Sequence, residues 1–548
     1  MTLRRTALGM PLIDGQEAAG DTDERLSEIS RIATDLILGL NESVLKLNTA
    51  LLDGSPAEAG LVAEVMAAVD TAVQVSDARI GDILEDPATV SGALLAGKAD
   101  LSTVKTDIGL DKVNNTSDAD KPISTAQRAA FPTVIAVSGA LGNGMADAFP
   151  AIQAALDQAA AAGTPYRVYI TDGVYLLTSG GTLTIGSNTH LDLAPNAILR
   201  RNSSTSCMLM NKSDGVTGGY GAAKNITVSG GEFDSNTGAF PDVVTNVSFG
   251  HATNITVRNV RFRNNTTGWH LLELNACKGS RVLDCTFSEH TNSKQELTEM
   301  LQLDLALDSA VFPWFGPYDK TPCDDIRIEG NTFTDGTVTA IGSHSRATGF
   351  SHKNIRIINN TFRLPATGYA IKTLNYDDLL IAKNTIIGGE RSIVVNGTSG
   401  VGCKNATVIG NQITSPQRHA VGFDYTTGIV CKDNIITGAG SSPTATGVGV
   451  YLYFSKDAIV QGNDISGGDA AAVNHGDIAI GGTNVATNPV GTSDVIATGN
   501  ICDTVMVAGD SARVLVSQNI IKGSVKLWGT APATYQRQAN FIAGVWTP

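Results

Sequence analysis

Residues 326–333 read IRIEGNTF, and residues 355–362 read IRIINNTF. In both stretches apolar residues alternate with polar ones, and an asparagine stands two places before a phenylalanine. Such alternation is typical of a β-strand with one buried face. The pattern apolar-x-apolar-x-Gly/Asn-Asn-x-apolar returns, with variations, mostly at spacings in the twenties, which indicates a solenoid. Its further instances are Ile255–Phe262, Val282–Phe287, Leu380–Ile386, Ala406–Ile413, Ile429–Ile436, Ala458–Ile465, Val495–Cys502 and Val514–Ile521.

Asparagine recurs at one point of this repeat, at positions 331, 360, 384, 411, 434, 463, 500 and 519. Asparagine tolerates the left-handed backbone conformation of a tight turn. Its amides can also bond along a column when strands stack about 4.8 Å apart. We therefore predict an asparagine ladder at one corner of a parallel β-helix, which spans residues 134–548 in about a dozen coils.

The bulk composition agrees with many short strands joined by tight turns. Glycine is abundant at 58 of 548 residues, aromatic residues are only 5% of the chain, and charged residues are 17%. The net charge of −14 argues against general binding to nucleic acid or to anionic membranes. No apolar run is long enough for a membrane span. The N-terminal MTLRRTALGMPLIDG has no apolar stretch typical of a signal peptide.

Seven cysteines are spread along the chain without a CxxC motif or a Cys/His metal spacing. We expect them to be reduced thiols in the core, which fits assembly in a reducing cytoplasm. We predict no metal and no cofactor. The cysteines are Cys207, Cys277, Cys285, Cys323, Cys403, Cys431 and Cys502.

Residues 1–105 have a helical pattern. Apolar residues recur at steps of three and four between Leu26 and Leu51, and a second helical stretch follows from Ala57 to Leu84. This stripe is typical of an oligomerising helix or a coiled-coil seam. The alternative is a helical hairpin that packs on itself. We favour association between chains, because little other core is available to cover both helices.

Residues 106–133 are polar and have no hydrophobic period, so they are predicted to form a linker. Within them, Gly109–Pro122 reads GLDKVNNTSDADKP. This string resembles a module that recurs in bacteriophage tail fibres and tailspikes. The resemblance implies a virion protein of the phage tail, assembled in the cytoplasm of the host bacterium. Its N-terminal region would attach to baseplate or tail proteins, and its subunits would form a homotrimer.

The start of the third region carries a second resemblance. Residues 148–161 are predicted to form a short amphipathic helix, and strands follow at 166–170, 174–177, 182–185 and 189–193. The strings AIQAALDQA, YITDGVYLL and SNTHLDLAPNAILRR resemble the opening of pectate-lyase-like proteins. The resemblance implies an all-β fold, the right-handed parallel β-helix, in which this helix caps the first coil. A small α-helical region would precede it.

A second strand in each coil aligns polar side chains. Because side chains alternate along a strand, the second and fourth positions of LELN, LQLD, IGSH and IKTL face outward. One outward column then contains Glu273, Gln302, Gly342 and Lys372. The other contains Asn275, Asp304, His344 and Leu374.

An interruption between residues 288 and 325 adds acidic and aromatic residues beside these columns. Paired carboxylates and a histidine supply a general acid and a general base, and two carboxylates flank the scissile bond in glycoside hydrolysis. The candidate catalytic residues are Asp304, His344, Glu273, Asp308, Asp319 and Glu299. The candidate substrate-binding residues are Lys372, Gln302, Asn275, Trp314, Tyr318 and Arg346.

Each candidate also has a structural interpretation. Asp304 can be a solvated strand residue, and His344 can be structural. Asp319 can cap a turn, and Trp314 can anchor the loop. In a lyase, Lys372, His344 or Arg346 would instead take a proton next to a uronate carboxylate.

Residues 340–343 (AIGS) and 369–373 (YAIKT) resemble fragments of polygalacturonase-type glycoside hydrolases. The resemblance carries catalytic or binding roles to Asp304, His344 and Lys372 only. The Gly-His-Gly of that family is absent, its paired Asp is not evident, and Ala370 stands where an Arg is expected.

These observations favour a homotrimeric phage tailspike that binds and cleaves a bacterial surface polysaccharide, such as an exopolysaccharide, capsule or O-antigen. Hydrolysis is slightly favoured over β-elimination because acids outnumber bases among the candidates. One alternative is a receptor-binding or structural fibre without catalytic activity, since a fold does not imply catalysis. Another is a bacterial polysaccharide lyase or epimerase.

Overall fold

The computed structural model describes residues 3–5, 11–13, 133–137, 139–162, 164–179, 181–292, 298–398, 402–441, 447–467, 476–481, 491–528 and 534–547. The chain divides into two compact units, 1–125 and 126–548. Of the first unit the structure describes one antiparallel pair, Leu3–Arg5 with Pro11–Ile13. The predicted helices within residues 1–105 and the string 109–122 lie outside the described residues.

The second unit is a stack of coils, each built from up to three strands that lie on three faces. Strands of the first face form a separate sheet, in which each strand pairs in parallel with its equivalent in the next coil. Its described strands are Thr133–Val137, Tyr166–Ile170, Thr189–Leu193, Ala223–Ser229, Ala252–Arg258, Lys278–Leu283, Asp324–Glu329, His352–Ile358, Tyr376–Ala382, Cys403–Ile409, Thr426–Lys432, Lys456–Gln461, Ser493–Thr498, Ala512–Ser517 and Tyr535–Gln538.

The second and third faces also stack in parallel, and they merge in the long strand Ile501–Ala508. The described strands of the second face are Asn143–Asp147, Gly173–Leu177, Ala197–Arg201, Glu232–Asp234, Arg261–Arg263, Thr286–Phe287, Thr332–Thr334, Thr361–Leu364, Thr385–Gly388, Gln412–Thr414, Ile435–Thr437, Asp464–Ser466, Ile501–Ala508, Ile520–Trp528, Asn540–Ile542 and the antiparallel Val545–Thr547. Those of the third face are Leu183–Ile185, Cys207–Asn211, Thr245–Gly250, His270–Asn275, Glu299–Asp304, Thr339–Gly342, Tyr369–Leu374, Arg391–Asn396, Val421–Asp424, Val450–Tyr453 and Ile478–Ile480.

The predicted right-handed parallel β-helix is confirmed. The strand Glu299–Asp304 is a regular member of the third face. The predicted interruption therefore consists of the connections on either side of this strand, of which residues 288–292 and 305–323 are described.

The predicted cap helix is also present, at Phe149–Ala161, after a short 3₁₀ turn at Gly139–Leu141. In chain order it takes the place of the third-face strand in the first coil. Ile152 and Leu156 enter the core, where each buried side chain of this size contributes about 1.5–3 kcal/mol. The side chain of Gln153 accepts the N–H of Thr184 at 2.8 Å and donates to its carbonyl at 3.1 Å. These bonds satisfy backbone groups at the edge of the first third-face strand. Among the described residues, no helix is long and apolar enough to cross a membrane.

The core is one continuous apolar cluster inside the coils. Phenylalanines stack in it from coil to coil, with ring centroids 4.7 to 5.6 Å apart, which matches the spacing of neighbouring strands. The stacked residues are Phe233, Phe262, Phe287, Phe333 and Phe362. All seven cysteines are buried and unpaired, as expected of core thiols.

The predicted asparagine ladder is confirmed, and Asn540 extends it by one coil. The side-chain amide of each ladder asparagine donates to the side-chain oxygen of the next, at 2.9 to 3.1 Å. The backbone role predicted for these residues was wrong. The left-handed conformation belongs to the residue before each of them, such as Gly330, Asn359 or Lys383. The ladder asparagines are buried, so their amides satisfy backbone carbonyls inside the stack.

Candidate functional site

The first predicted column of outward residues is confirmed by the strand register. Ser248 pairs with Glu273, Glu273 with Gln302, Gln302 with Gly342, and Gly342 with Lys372, each in the next coil of the third face. Five consecutive coils therefore align this column on the side of the third face that points away from the core, with neighbouring members one strand spacing apart. Lys372 is half-buried there, and the other four members are buried.

The second predicted column is confirmed in part. Asn275 pairs with Asp304, but the next third-face strand ends at Gly342, so His344 lies beyond the ladder. The ring of His344 nevertheless lies close to Asp304, its predicted neighbour in this column. The Nε2 atom of His344 is 3.7 Å from Asp304 Oδ2, and its Nδ1 atom is 3.1 Å from Glu299 Oε2. His344 thus lies between two carboxylates.

Glu299 comes from the start of a strand, in register with His270. The Oε2 atom of Glu299 is 3.5 Å from Nδ1 of His270, and Nε2 of His270 is 3.7 Å from Oε1 of Glu273. Three carboxylates and two imidazoles therefore alternate in space. We call Glu273, His270, Glu299, His344 and Asp304 the acid–histidine cluster.

Two neighbours shape this cluster. The side-chain amide of Gln302 donates to Asp304 Oδ2 at 2.8 Å, and the same nitrogen lies 3.3 and 3.5 Å from the two ring nitrogens of His344. Gly342 leaves room for Glu299, because a Cβ atom at this position would lie 3.3 Å from Glu299 Cγ and 2.7 Å from the carbonyl oxygen of Lys372.

Asp304 is fully buried and accepts both the hydroxyl and, at 3.2 Å, the backbone N–H of Ser345. Burial raises the pKa of its carboxyl to about 6, although His344 and the Ser345 bonds act in the opposite direction. Burial likewise raises the pKa of Glu273 to about 7. Glu273 accepts hydroxyls from Ser248 at 2.5 Å and Thr245 at 3.1 Å.

The two histidines differ in charge. Burial disfavours the imidazolium of His344, but Glu299, Asp304 and Glu273 outweigh it and raise the pKa to about 9. His270 is more deeply buried, and this burial lowers its pKa well below the usual value. At neutral pH the cluster thus holds a charged His344 and a neutral His270.

This arrangement can perform acid–base chemistry. Glu273, with a pKa of about 7, keeps its proton in part at neutral pH, whereas its neighbour Asp304, with a pKa of about 6, is mostly ionised. Such pairs serve as general acid and general base. The carboxylates are nearly inaccessible, whereas the side chain of His344 is 16% exposed. Among the five members, His344 is therefore the one through which the cluster reaches solvent.

The acids of the loop after Asp304 lie in turns. Asp308 is exposed and accepts the backbone N–H groups of Ala310 and Val311. Asp319 accepts the N–H of Gly219 at 2.7 Å. Partial burial acts to raise the pKa of its carboxyl, but backbone hydrogen bonds of this kind together outweigh burial and lower the pKa. The hydrogen bonds described for these two carboxylates are made to backbone N–H groups and do not include a member of the acid–histidine cluster.

The candidate binding residues have different surroundings. Trp314 is half-buried and packs on the small apolar cluster that contains Phe312 and Phe315, so it anchors the loop. Tyr318 is 46% exposed, and Arg346 is exposed. The ammonium of Lys372 lies 5.2 Å from the ring centroid of Tyr369.

Asn275 is buried, and its side-chain oxygen accepts the backbone N–H of Asp304 at 3.1 Å. It therefore positions the strand that carries Asp304. The side chain of Asn275 is fully buried and does not reach the surface.

Sequence reasoning missed four polar residues of the site: His270, Ser345, Thr245 and Ser248. His270 stands three places before Glu273 in the same strand, and extending the alignment of the third-face strands by two residues pairs it with Glu299. No comparable signal marks Ser345, which lies in a loop.

One ligand atom from each of His270, Glu299 and His344 lies within 4.8 Å of the others, so these residues can hold a metal ion. This set lies across three coils. A search of the sequence for local metal motifs does not find such a set.

Comparisons with known proteins agree on the fold. The family described as the right-handed beta helix region matches residues 321–465. Among curated proteins, plasmin and fibronectin-binding protein A of Streptococcus pneumoniae is 27% identical over 278 residues. The match covers 45% of this chain and 38% of that protein's length.

Solved structures with a similar fold share little sequence with this chain. The surface adhesin PfbA of Streptococcus pneumoniae is 19% identical, with a TM-score of 0.49 and coverage of 75% of this chain and 91% of that chain. A family 28 exopolygalacturonase of Yersinia enterocolitica is 15% identical, with a TM-score of 0.44 and coverage of 75% and 78%. The Dettilon tailspike protein is 11% identical, with a TM-score of 0.43 and coverage of 72% and 72%. The right-handed parallel β-helix of this chain is established by its own strand pairing and by the family match to residues 321–465.

Proposed function

We propose that this chain is a phage tailspike that binds a bacterial surface polysaccharide and cleaves it by hydrolysis at the acid–histidine cluster. The observation that carries the proposal is the position of His344 between the carboxylates of Glu299 and Asp304, at 3.1 and 3.7 Å. The resemblance of residues 109–122 to a tail-fibre module supports the virion context.

Glycoside hydrolysis needs two carboxyl groups near the scissile bond. One gives a proton to the leaving oxygen, and the other activates water or attacks the sugar. Glu299 and Asp304 provide such a pair from one strand, and Gln302 between them can hydrogen-bond a sugar hydroxyl.

β-Elimination fits these contacts less well. It needs a base at the sugar ring and a cation at the uronate carboxylate. The imidazolium within the cluster, His344, is already engaged by two carboxylates, and the ammonium of Lys372 faces the ring of Tyr369. Hydrolysis is therefore the reaction we favour.

The decisive experiment is digestion of purified surface polysaccharide from candidate host bacteria by the purified full-length chain. We expect new reducing ends, and products without an unsaturated uronate in mass spectrometry. Asp304→Asn and Glu299→Gln should each reduce the initial rate by at least about 100-fold, because removal of a general acid or base typically costs this much.

Asp335→Asn is the matched control. Asp335 is exposed at the end of a second-face strand with φ near 54°, which asparagine tolerates, so this variant should keep the wild-type rate. Unsaturated products would show elimination instead. Equal rates in Asp304→Asn, Glu299→Gln and wild type would place the chemistry elsewhere.

A second candidate function is glycan or host-protein binding without cleavage. It is favoured by the burial of the acids, since Glu299 and Asp304 are at most 1% exposed, and by the match to plasmin and fibronectin-binding protein A. Under this function the acid–histidine cluster is a structural polar network. A chain that retains glycan for hours without shortening it would establish this second candidate.

A further inference from the structure

The acid–histidine cluster has a pattern that hydrolysis alone does not explain. Both imidazoles present Nδ1 to the same oxygen, Oε2 of Glu299, at 3.5 Å from His270 and 3.1 Å from His344. Ligands at about 2.1 Å from a tetrahedral zinc ion lie about 3.4 Å from one another. The two distances therefore match the separation of ligand atoms around one ion.

The other nitrogen of each ring faces a further carboxylate at the same distance. Nε2 of His270 lies 3.7 Å from Glu273 Oε1, and Nε2 of His344 lies 3.7 Å from Asp304 Oδ2. Metal-binding histidines usually direct their second ring nitrogen at a carboxylate, which fixes the tautomer and the ring orientation. Here both histidines have that partner.

Nδ1 of His270 lies between two backbone groups of Glu299, 3.2 Å from its N–H and 3.1 Å from its carbonyl oxygen. A zinc-type ion needs the lone pair of this nitrogen. Ion binding therefore replaces the backbone contacts of Nδ1 and places the ring proton on Nε2, which faces Glu273.

A buried side chain with an unsatisfied acceptor also lies beside the site. Gln302 is 1% exposed, and its Oε1 atom is a buried acceptor without a hydrogen-bond partner among the described residues. Its amide lies against the ring of His344. Buried acceptors of this kind are rare in folded proteins and call for a specific explanation, such as an ion.

We propose that His270, Glu299 and His344 bind one divalent transition-metal ion of the zinc class, with water as the fourth ligand. The ion takes the place of the proton that Nδ1 of His344 shares with Glu299, and this proton is released to solvent. Glu273 and Asp304 orient the two imidazoles. This site stands independently of glycan cleavage, because it depends only on the mutual positions of these side chains.

Ligand chemistry selects the class of ion. Imidazole nitrogen with one carboxylate suits zinc, copper, nickel and iron, whereas calcium and magnesium prefer oxygen ligands. The two rings are nearly parallel, at 12° with centroids 5.8 Å apart. An ion can lie in the planes of both rings only if one ring turns. His344 is the more exposed of the two, so it is the ring that we expect to turn.

Zinc binding by the purified full-length chain tests the proposal. The protein is dialysed against a chelator and titrated with Zn²⁺ by calorimetry, with Ca²⁺ as the comparison ion. We expect one tight Zn²⁺ equivalent per chain at this site and no tight Ca²⁺ binding. Titration with Co²⁺ should give the intense visible absorption of a four-coordinate ion.

Four variants assign the site. Glu299→Gln and His344→Gln should weaken Zn²⁺ binding by more than 100-fold. Asp304→Asn, which leaves the ligands in place, should weaken it 10- to 100-fold, as loss of an orienting carboxylate typically does. The control His190→Gln removes a half-buried histidine that bonds Ser229 on the first face, and it should keep the wild-type affinity.

Three results would overturn the proposal: no Zn²⁺ uptake by the wild-type chain, wild-type Zn²⁺ affinity in both Glu299→Gln and His344→Gln, or a weak six-coordinate Co²⁺ spectrum. Circular dichroism shows whether each variant is folded. If both ligand variants unfold, the Co²⁺ spectrum of the wild-type chain decides alone.

Discussion

Asn411 connects three coils through its side chain. Its amide nitrogen donates to the side-chain oxygen of Asn434 at 2.9 Å and to the carbonyl of Ile381 at 3.1 Å. Its oxygen accepts the backbone and side-chain N–H groups of Asn384 at 3.0 and 2.9 Å. The residue is fully buried, so no water replaces these partners if the amide is removed.

We therefore expect Asn411→Ala to lower the free energy of unfolding by about 2–4 kcal/mol, because it leaves several buried groups without partners. Chemical denaturation measures the change. Gln412→Ala is the control, since Gln412 is the next residue and is exposed. Its effect should stay within about 0.5 kcal/mol. Equal effects of the two substitutions would mean that the ladder does not stabilise the stack.

Asp424 gives a residue-scale prediction for pH. Burial raises its pKa to about 6, and the Tyr451 hydroxyl, which donates to it at 3.0 Å, only partly opposes this. The folded chain thus holds this proton more tightly than the unfolded chain. The contribution of Asp424 to the free energy of unfolding is therefore largest at low pH and is lost as pH rises from about 4 to about 6.

Asp424→Asn should therefore raise the melting temperature at about pH 7.5 and have little effect near pH 3, where the wild-type carboxyl is mostly protonated in both states. Thermal melts of both proteins at the two pH values measure this. A shift of the same size at both values would contradict the assigned cause.

At the scale of elements, the helix Phe149–Ala161 closes the first coil by two means. Its apolar side chains fill the core, and Gln153 satisfies backbone groups of the strand Leu183–Ile185. Exposed backbone groups at a strand edge are prone to pairing with other chains. The helix therefore protects the edge as well as the core.

Gln153→Ala should speed amide hydrogen exchange at Thr184, because the 2.8 Å bond from its N–H is lost. Exchange at Leu191, in the middle of a first-face strand, should not change. Gln158→Ala, at an exposed position of the same helix, serves as the control. Unchanged exchange at Thr184 would show that the helix body alone covers this edge.

The third-face strands show what the sequence can predict about the site. The column of Glu273, Gln302, Gly342 and Lys372 was predicted correctly, since it follows from the alternation of side chains and the repeat register. Burial of the acids was not predicted, because loops and neighbouring coils cover them and loop paths have no period. The position of His344 in a loop after the strand, instead of within it, was not predicted either, because loop paths have no period.

At the scale of the whole molecule, each coil contacts mainly its neighbours. The solenoid was predictable because every coil repeats one pattern around the ladder asparagines. Stability in such architectures is close to a sum of coil and interface terms, so a local defect opens local structure.

We expect Asn519→Ala to increase hydrogen exchange in the adjacent coils, within residues 493–542, and to leave the strands Ala252–Arg258 and Glu299–Asp304 unchanged. Exchange followed by mass spectrometry of peptides measures this. Faster exchange throughout residues 223–542 would indicate a single cooperative unit instead.

Successive ladder asparagines are separated by 19 to 37 residues, yet each advances the stack by one coil. Connections between the faces can therefore grow or shrink without moving the coils above and below them. Only the gain or loss of an entire coil changes the position of the acid–histidine cluster along the axis. The distance along the axis from that cluster to either end of the solenoid can therefore change only in steps of one coil, about 4.8 Å each.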